Sequence, residues 1–436
     1  MNKKLLLAGL AGILSLATAC KKDDPSPKPT PTPQPGFTIE AKTTDLLQFD
    51  TVRLSAQGTK ADAKLSWVIN GKEVGEGKDY AFTQPRVGRY QVSLVDKTSG
   101  EKVSKDFSVT GRFTSGAFLL NEGNFGNETG TLTYIDASKQ FVLDSAYIRV
   151  NGTKLGNVCQ DMTFANGKVY IISQNGPMNG GEGLLTIADA KTLEKHKVIN
   201  DAALAKDQPT HIAVIHSRIY LRGNKGIYRG TEEGSFKLIP GTEKANKLRM
   251  VTIGELVIAT TSTNKLLVIQ DEEVKQTFTL PEGSPSGLAL APDGQLWLSY
   301  SKPNTLAKVS VSASGVKILD KHTTTQSLDK KYTATSAIFA RANQIFFTEQ
   351  SSVIYRHDFS TGETKEIVDV QKVDKQAKMY YNSLGIDPKT GHIYYASFGD
   401  YSTYQKNVTL VLDHDGKVLL KREHVNAFPA GFYFIP

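Results

Sequence analysis

The chain has 436 residues, about two to three times the length of an ordinary domain, so we expect more than one folding unit. Apolar residues make up 39% and charged residues 22%, with 37 glycines and 17 prolines, which excludes a wholly disordered chain and a collagen-like one. Lysine and arginine outnumber aspartate and glutamate by 52 to 44, a balance that favours anionic ligands or surfaces. Cys20 and Cys159 are the only cysteines, so a disulfide framework is excluded unless these two pair.

Residues 1–20, MNKKLLLAGLAGILSLATAC, have the pattern of an export signal: a basic start, an apolar run and small residues before a cysteine. The apolar run from Leu5 to Ala17 is too short to span a bilayer comfortably. The ending Leu-Ala-Thr-Ala-Cys resembles the bacterial lipobox, which implies cleavage before Cys20 and a lipid on its thiol. Ala17 departs from the leucine or valine that lipoboxes prefer, and an ordinary secreted protein cleaved after Ala19 is the alternative.

Residues 21–36, KKDDPSPKPTPTPQPG, read as a linker in which proline occupies every second position from Pro25 to Pro35. Such a composition is typical of a stiff, solvated polyproline spacer. The Lys-Asp-Asp behind the cysteine resembles the signal that sends lipoproteins of Bacteroidetes to the outside of the outer membrane. We therefore expect a lipid-anchored protein on the cell surface, the alternative being a linker whose charges only keep it soluble.

Residues 37–111 contain short alternating runs separated by glycine, lysine and aspartate clusters, which predict strands. Asn70-Gly71 predicts a tight turn, and Trp67 is expected to pack on the face shared by Tyr90, Val92 and Leu94. The segments LSWVING and GRYQVSL resemble immunoglobulin-like domains of the polycystic-kidney-disease type. The resemblance implies a small β-sandwich that serves as a spacer or docking module.

Residues 112–436 repeat a two-strand unit, in which an apolar triplet is followed by a turn and a second β-rich run. Its first apolar position recurs at spacings of 50, 38, 38, 49 and 47 residues, at Met162, Ile212, Met250, Leu288, Ala337 and Leu384. The C-terminal PAGFYFIP places Phe432 at a seventh position, and GAFLLNEG from Gly116 supplies the run that this ending lacks. We therefore predict an all-β chain with a seven-bladed β-propeller, closed by pairing the last strand with the first.

The stretch LLNEGNFGNETGTLTYID near the start of the repeats resembles YncE-like seven-bladed propellers. It is similar, more narrowly, to a group of Bacteroidetes surface lipoproteins. Known members of that group capture xenosiderophores or cobalamin and are partners of TonB-dependent outer-membrane transporters. The resemblance implies a nutrient-capture protein without showing which nutrient it takes.

In a propeller, the loop entering each innermost strand and the loop joining the second and third strands emerge on one face, here called the loop face. We predict that its ligand-binding residues are the cations Arg222, Lys225, Arg249 and Lys302 and the aromatic residues Phe125, Tyr300, Tyr380, Tyr381, Tyr401, Tyr404 and Phe428. Cations suit a polyanionic ligand, and flat rings suit an aromatic one. A ferric catecholate siderophore matches both features, whereas a corrinoid such as cobalamin, bulky and nearly neutral, needs the rings more.

Other chemistry has little support in the sequence. The eight histidines show no zinc-site spacing, although His211 could meet a carboxylate from another blade. The segment 413–416 resembles the start of a calcium loop but is more simply a turn, and Cys159 is expected to be a buried small hydrophobe. We expect no enzyme, no metal, no nucleic-acid partner and no cofactor besides the lipid. A propeller lactonase or lyase and a glycan or protein adhesin are the alternatives.

Overall fold

The computed structural model describes residues 36–329, 336–349, 351–380, 382–425 and 428–436. The predicted signal and nearly all of the predicted linker lie outside these residues. Strands dominate the described part, and its helical elements are the short α1 (Ala146–Asn151), α2 (Ala202–Lys206), α3 (Val370–Val373) and the 3-10 turns Ala137–Lys139 and Met178–Gly180. None of the helices in these ranges is long and apolar enough to cross a membrane.

Two sheets form the N-terminal unit (residues 36–111). Its strands are β1 (Thr38–Ala41), β2 (Asp45–Leu47), β3 (Thr51–Gln57), β4 (Leu65–Ile69), β5 (Lys72–Glu76), β6 (Asp79–Thr83), β7 (Gly88–Asp96) and β8 (Lys102–Thr110). One sheet has the order β1-β3-β6 and the other the order β2-β8-β7-β4-β5. Only the short β2 pairs in parallel, with β8, so within the described unit the architecture is antiparallel apart from this edge.

The core of the N-terminal unit surrounds Trp67, which is completely buried and pairs directly with Leu94 across β4 and β7. Its indole nitrogen donates a hydrogen bond to the Gly77 carbonyl at 3.0 Å. Asn70 and Gly71 have φ angles of 46° and 86°, the left-handed geometry that a two-residue hairpin turn requires. The alternating pattern therefore forms the expected strands, while the immunoglobulin likeness of this unit stays a prediction.

Seven four-stranded antiparallel sheets follow, each running from the propeller axis outward. Blade 1 begins with β9 (Ala117–Asn121), β10 (Thr131–Asp136) and β11 (Phe141–Leu143). Blade 2 contains β12 (Asn157–Ala165), β13 (Lys168–Gly176), β14 (Leu185–Asp189) and β15 (Lys195–Ile199). Blade 3 contains β16 (His211–Ile215), β17 (Arg218–Gly223), β18 (Gly226–Thr231) and β19 (Gly234–Leu238). Blade 4 contains β20 (Val251–Ile253), β21 (Leu256–Thr260), β22 (Lys265–Gln270) and β23 (Glu273–Thr279).

The remaining blades have the same four-strand order. Blade 5 contains β24 (Ser284–Leu290), β25 (Leu296–Ser301), β26 (Thr305–Ser312) and β27 (Gly315–Thr323). Blade 6 contains β28 (Ile338–Arg341), β29 (Gln344–Thr348), β30 (Val353–Asp358) and β31 (Glu363–Asp369). Blade 7 contains β32 (Leu384–Ile386), β33 (Ile393–Phe398), β34 (Lys406–Leu412) and β35 (Val418–Val425). The last strand, β36 (Pro429–Phe434), returns to blade 1.

The ring closes as the split repeat predicts. Strand β36 is the innermost strand of blade 1 and pairs antiparallel with β9, with Phe432 opposite Leu119. Phe432 is 2% exposed, and its ring lies 5.6 Å from that of Tyr394 in blade 7. A Cβ at Gly385 on β32 would lie 2.5 Å from the Phe432 Cβ, so glycine permits this close approach. The prediction of a seven-bladed propeller with terminal strand closure is confirmed.

The N-terminal unit contacts blades 1 and 2 away from the loop face. The Gln48 amide donates to the Thr192 carbonyl at 3.0 Å, in the turn between β14 and β15, which lies opposite the loop face. Arg112 bonds the Gln48 carbonyl and Asp50, and its guanidinium lies 4.2 Å over the Phe141 ring. Arg86 donates to the Val150 carbonyl of α1 at 3.2 Å. Helix α1 lies in the segment that enters blade 2, but the Asn151 side chain at its end donates to the Leu193 carbonyl at 2.9 Å, in the same turn between β14 and β15 as Thr192. The described contacts of the N-terminal unit therefore lie toward the face opposite the loop face.

We expect Phe432→Ala to lower the free energy of unfolding by about 3–5 kcal/mol, because it opens a cavity in the strand that closes the ring. Urea unfolding of the chain without residues 1–20, followed by circular dichroism, measures this change. Leu319→Ala is the matched control, since Leu319 is 50% exposed on β27 and its loss is expected to cost less than about 0.5 kcal/mol. Equal costs for the two variants would contradict closure through β36.

Candidate functional site

Four blades meet at one buried carboxylate. Asp161, on the innermost strand of blade 2, is 1% exposed. Its Oδ1 accepts a hydrogen bond from the Tyr433 hydroxyl of blade 1 at 2.7 Å, and its Oδ2 accepts one from the Ile212 backbone N–H of blade 3 at 3.1 Å. Arg249, in the loop entering blade 4, places its Nε 3.4 Å from Asp161 Oδ1 and its guanidinium 4.4 Å over the Tyr433 ring. Because innermost strands surround the axis, this axial network joins four neighbouring blades close to the axis.

The axial network changes the interpretation of Arg249. Burial raises the pKa of the Asp161 carboxyl, while Arg249 and the hydrogen bonds from Tyr433 and Ile212 oppose that rise. The close carboxylate balances the charge of Arg249, so Arg249 is not the uncompensated cation that its loop sequence implied. The loop sequence does not show this counter-charge, because Asp161 belongs to another blade and lies 88 residues earlier in the chain.

A second group of charges adjoins the axial network. The Arg222 guanidinium donates through Nε and Nη2 to the Ala245 carbonyl at 3.2 and 3.1 Å, which holds it against the loop entering blade 4. Burial lowers the pKa of Arg222, and the charge of Asp207 opposes this. Burial, together with the charge of Arg222, also lowers the pKa of Lys247, and Glu122 opposes this shift. Two partly desolvated cations so close together favour a nearby anion.

Rings from blades 7 and 1 form an aromatic patch, defined as Phe398, Tyr401, Tyr404 and Phe428 together with Phe125 on the neighbouring loop between β9 and β10, whose ring contacts none of the other four. The Phe428 ring lies 5.3 Å from Phe398, 5.7 Å from Tyr401 and 5.1 Å from Tyr404, the last pair stacked. Tyr401 is 59% exposed and Phe125 is 60% exposed, which is unusual for such large apolar surfaces. The patch therefore offers open ring faces on the loop face.

Hydrogen bonds tie the loops that carry this patch. Gln405, beside Tyr404 in the loop between β33 and β34, donates to Glu128 Oε1 at 2.8 Å in the loop between β9 and β10. Asn179, between β13 and β14, donates to the Phe125 carbonyl at 3.1 Å. The neighbouring Met178 is 44% exposed and extends the apolar surface. Loops of blades 7, 1 and 2 are thus joined into one continuous surface.

Other predicted site residues lie elsewhere. Tyr300 is completely buried in the core between blades 4 and 5, because the alternation of β25 turns it inward with Leu298. The prediction that Tyr300 is a loop-face residue is therefore wrong, and Tyr300 is a core residue. Tyr380 donates its hydroxyl to the Ala377 carbonyl at 2.8 Å and packs against the core between blades 6 and 7. Lys225 and Lys302 are exposed on loop-face turns. Tyr381 lies outside the described residues.

Sequence reasoning missed three residues that help to build this face: Asp161, Lys247 and Met178. Lys247 lies in the same entering loop as Arg249, so the rule that selected Arg249 could also have found it. Asp161 stands inside a strand-like run, where nothing marks it as an axial residue. No group of three or more histidine, cysteine, aspartate or glutamate side chains suited to a metal occurs within the described ranges.

We expect Asp161→Asn to lower the free energy of unfolding by about 3–5 kcal/mol, because it leaves Arg249 without its buried counter-charge. Urea unfolding of the chain without residues 1–20 measures the effect. Asp415→Asn is the control, since the Asp415 side chain is 68% exposed in the turn between β34 and β35. A change as small for Asp161→Asn as for the control would rule out a structural role for the axial network.

The fold is similar to those of several solved structures. A quinonprotein alcohol dehydrogenase-like protein from Bacteroides thetaiotaomicron aligns over 91% of this chain and 99% of its own, with a TM-score of 0.60 and 16% identity. A protein from Lactobacillus plantarum aligns over 74% and 99%, with a TM-score of 0.50 and 10% identity. Apo AztD from Citrobacter koseri aligns over 85% and 97%, with a TM-score of 0.41 and 14% identity. At identities this low, the first two likenesses speak for the fold alone. No curated protein sequence matches significantly.

One protein family covers the whole propeller. The family described as "Domain of unknown function (DUF5074)" matches residues 115–435. The match begins just before β9 and ends just after β36, so its limits coincide with the closed ring of seven blades. The chain belongs to the DUF5074 family.

Proposed function

We propose that the protein is a lipid-anchored surface protein that captures a ferric catecholate siderophore on its loop face and delivers it to a TonB-dependent outer-membrane transporter. The observation that carries this proposal is the presence, on one face, of an open aromatic patch and of the partly buried cations Arg222 and Lys247. A ligand that is both anionic and aromatic uses both features. A ligand that is only anionic would leave the aromatic patch unused, and a ligand that is only aromatic would leave the two cations unused.

The physical fit is with a compact anion that carries flat rings. Catechol rings can stack on Tyr401 and Phe125, whose faces are open to solvent. A partly desolvated cation attracts an anion more strongly than an exposed one, because the local dielectric constant is lower. The exposed Lys225 and Lys302 add positive charge on loop-face turns and would steer an anionic complex toward the face.

The position of the N-terminal unit supports a surface role. Its contacts through Gln48 and Arg86 fall on blades 1 and 2 away from the loop face. A lipid on Cys20 followed by a stiff linker would therefore tether the protein through the end that leaves the aromatic patch accessible. Such an orientation allows a ligand to arrive at the loop face and a transporter to take it from there.

Capture of a corrinoid by the same face is the second candidate. The Asp161 carboxylate balances the charge of Arg249. The charge of Glu122 opposes the lowering of the Lys247 pKa, so Glu122 lies near that ammonium. Both observations reduce the net positive charge near the axis and leave the aromatic patch as the dominant feature, which suits a bulky, nearly neutral ligand. Ionic strength separates the two candidates, since salt weakens binding of an anionic complex far more than binding of a neutral one.

We expect Lys247→Gln to raise the Kd for ferric enterobactin about ten- to hundredfold, which is the loss of about 1.5–3 kcal/mol from a charge-assisted contact. The same substitution is expected to leave the Kd for cyanocobalamin unchanged. Tyr401→Ala is expected to weaken whichever ligand binds, because it removes an open ring face. Isothermal titration calorimetry on the chain without residues 1–20 measures each constant.

Lys365→Gln is the matched control, because Lys365 is an exposed lysine paired with Glu363 on the outermost strand of blade 6. It is expected to bind both ligands as the unaltered chain does. Absence of binding of either ligand at micromolar concentration would refute capture by this face. Tight binding of cyanocobalamin alone would replace the siderophore with the corrinoid.

We expect Cys20→Ser to release the full-length protein from the membrane fraction while ligand affinity stays the same, because a lipid and not the fold would provide attachment. Cell fractionation followed by immunoblotting measures the distribution, and protease treatment of intact cells reports surface exposure of the unaltered protein. Retention of the Cys20→Ser protein in the membrane fraction would contradict lipid anchoring at this residue.

A further inference from the structure

The loop that carries Phe125 is closed at its base and tied to blade 2. This Phe125 loop (residues 122–130) joins β9 to β10 on the loop face. A Cβ at Gly123, where φ is 78°, would lie 2.3 Å from the Thr129 carbonyl oxygen, so glycine lets the two ends of the loop meet. The Gly130 backbone N–H donates to the Gly156 carbonyl, in the segment that enters blade 2, at 2.8 Å. The base of the loop is therefore fixed to the neighbouring blade.

A buried asparagine holds the middle of the Phe125 loop. Asn157, at the start of β12, is completely buried. Its Nδ2 donates to the Asn124 carbonyl at 3.1 Å and also to the Glu128 carbonyl, on the two sides of the loop tip. Its Oδ1 accepts from the Asn175 amide of β13 at 2.7 Å. The Asn157 amide thus bonds the loop through its nitrogen and blade 2 through its oxygen.

A second asparagine holds the same loop from the outside. Asn179, in the loop between β13 and β14, donates to the Phe125 carbonyl at 3.1 Å and to the Glu128 carbonyl at 3.3 Å. Within the loop, the Gly126 N–H donates to the Asn124 Oδ1 at 2.8 Å. The backbone carbonyls of residues 124, 125 and 128 therefore each accept a hydrogen bond from a side-chain amide of blade 2. A loop bonded at so many points has little conformational freedom left to lose when a ligand binds.

The strand that carries Asn157 is strained at the next residue. Val158 has a φ of 56°, in the left-handed region that a β-branched side chain rarely adopts. The register of β12 against β13 also shifts on both sides of Cys159. Strained residues persist only where the surrounding contacts hold them, and they cluster at functional sites. The strain is an observation separate from the hydrogen bonds, and it marks the same end of β12.

The tip of this rigid loop carries an exposed ring. Phe125 is 60% exposed, and its ring contacts none of the other rings of the aromatic patch, so its position depends on the backbone of the loop. A ligand that covers such a ring binds more tightly when the ring is already in place, because less ordering entropy is then lost. We infer that Asn157 and Asn179 are positioning residues, which hold the Phe125 ring in place for the ligand of the loop face. This role rests on the function proposed above.

Hydrogen–deuterium exchange of the ligand-free chain without residues 1–20 measures how tightly the loop is held. Asn179→Gly is expected to speed exchange in the peptide that covers the Phe125 loop about three- to tenfold, because two hydrogen bonds to the loop are lost. Glycine adopts the φ of 57° at this position without strain. Asn157→Ala is expected to speed exchange further, but it also removes a buried amide and destabilises blade 2, so Asn179→Gly decides the outcome.

Asn166→Gly is the matched control. Asn166 has a φ of 53°, precedes a glycine as Asn179 does, and donates to the His216 carbonyl of the next blade. It lies in the turn between β12 and β13, on the face opposite the loop face. It is therefore expected to leave both the exchange of the Phe125 loop and ligand binding unchanged.

A double-mutant cycle tests whether Asn179 acts through Phe125. Isothermal titration calorimetry uses ferric enterobactin and cyanocobalamin as probes. Asn179→Gly is expected to raise the Kd of the probe that binds about two- to tenfold, with a less favourable binding entropy. In a Phe125→Ala background, Asn179→Gly is expected to have no further effect on the Kd, because no ring remains to be positioned.

Three results overturn the positioning role while leaving the proposed function intact. They are unchanged exchange of the Phe125 loop in Asn179→Gly, an equal change in Asn166→Gly, and equal weakening of binding by Asn179→Gly with and without Phe125. If neither probe binds the unaltered chain, the proposed function fails and the positioning role for a ligand fails with it. The exchange result then still shows whether the two asparagines hold the loop.

Discussion

The carboxylate of Asp161 is the contact through which the first four blades are fixed to one another near the propeller axis. It lies on blade 2 and takes a hydroxyl from blade 1, a backbone N–H from blade 3 and a guanidinium from the loop entering blade 4. A buried carboxylate is tolerable only because each of these groups compensates it. The loop entering blade 4 carries Lys247 and is also held by Arg222, so the geometry of the basic part of the loop face depends on this one charge.

The two ends of the propeller offer different chemistry for the same structural reason. Blades are rigid antiparallel sheets, so variation is confined to the turns at their ends and to the seams between them. At the loop face, three tied loops expose rings beside partly desolvated cations. At the opposite end, the seam closed by β36 leaves a cavity of about 350 Å³ whose lining includes Asp136, Lys389 and Tyr394. Strand closure therefore builds both the ring and this second concavity.

Much of the fold could be predicted because each blade is a local pattern. The alternation around Trp67, the Asn70-Gly71 turn and the recurring apolar positions all report on neighbours that lie close in sequence. The site was less accessible to prediction. Tyr401, Tyr404 and Phe428 come together as their loop positions imply, but Tyr300 points into the core because one residue along a strand reverses the side-chain direction. The alternation of side-chain direction along the strand, and not the nearness of a residue to a loop, decides whether its side chain faces the ligand or the core.

The number of blades, the closure of the ring and a loop face with rings and cations could be predicted from the chain, since repeat spacing and strand alternation are short-range properties. The arrangement of the blades was needed to show that Asp161 balances Arg249, that Lys247 lies near Arg222, and that Tyr394 and Asp136 line one cavity. Each of these facts joins residues from different blades. Contacts across the axis or across a seam depend on how the blades are arranged around the ring, and no local pattern in the chain encodes that distance.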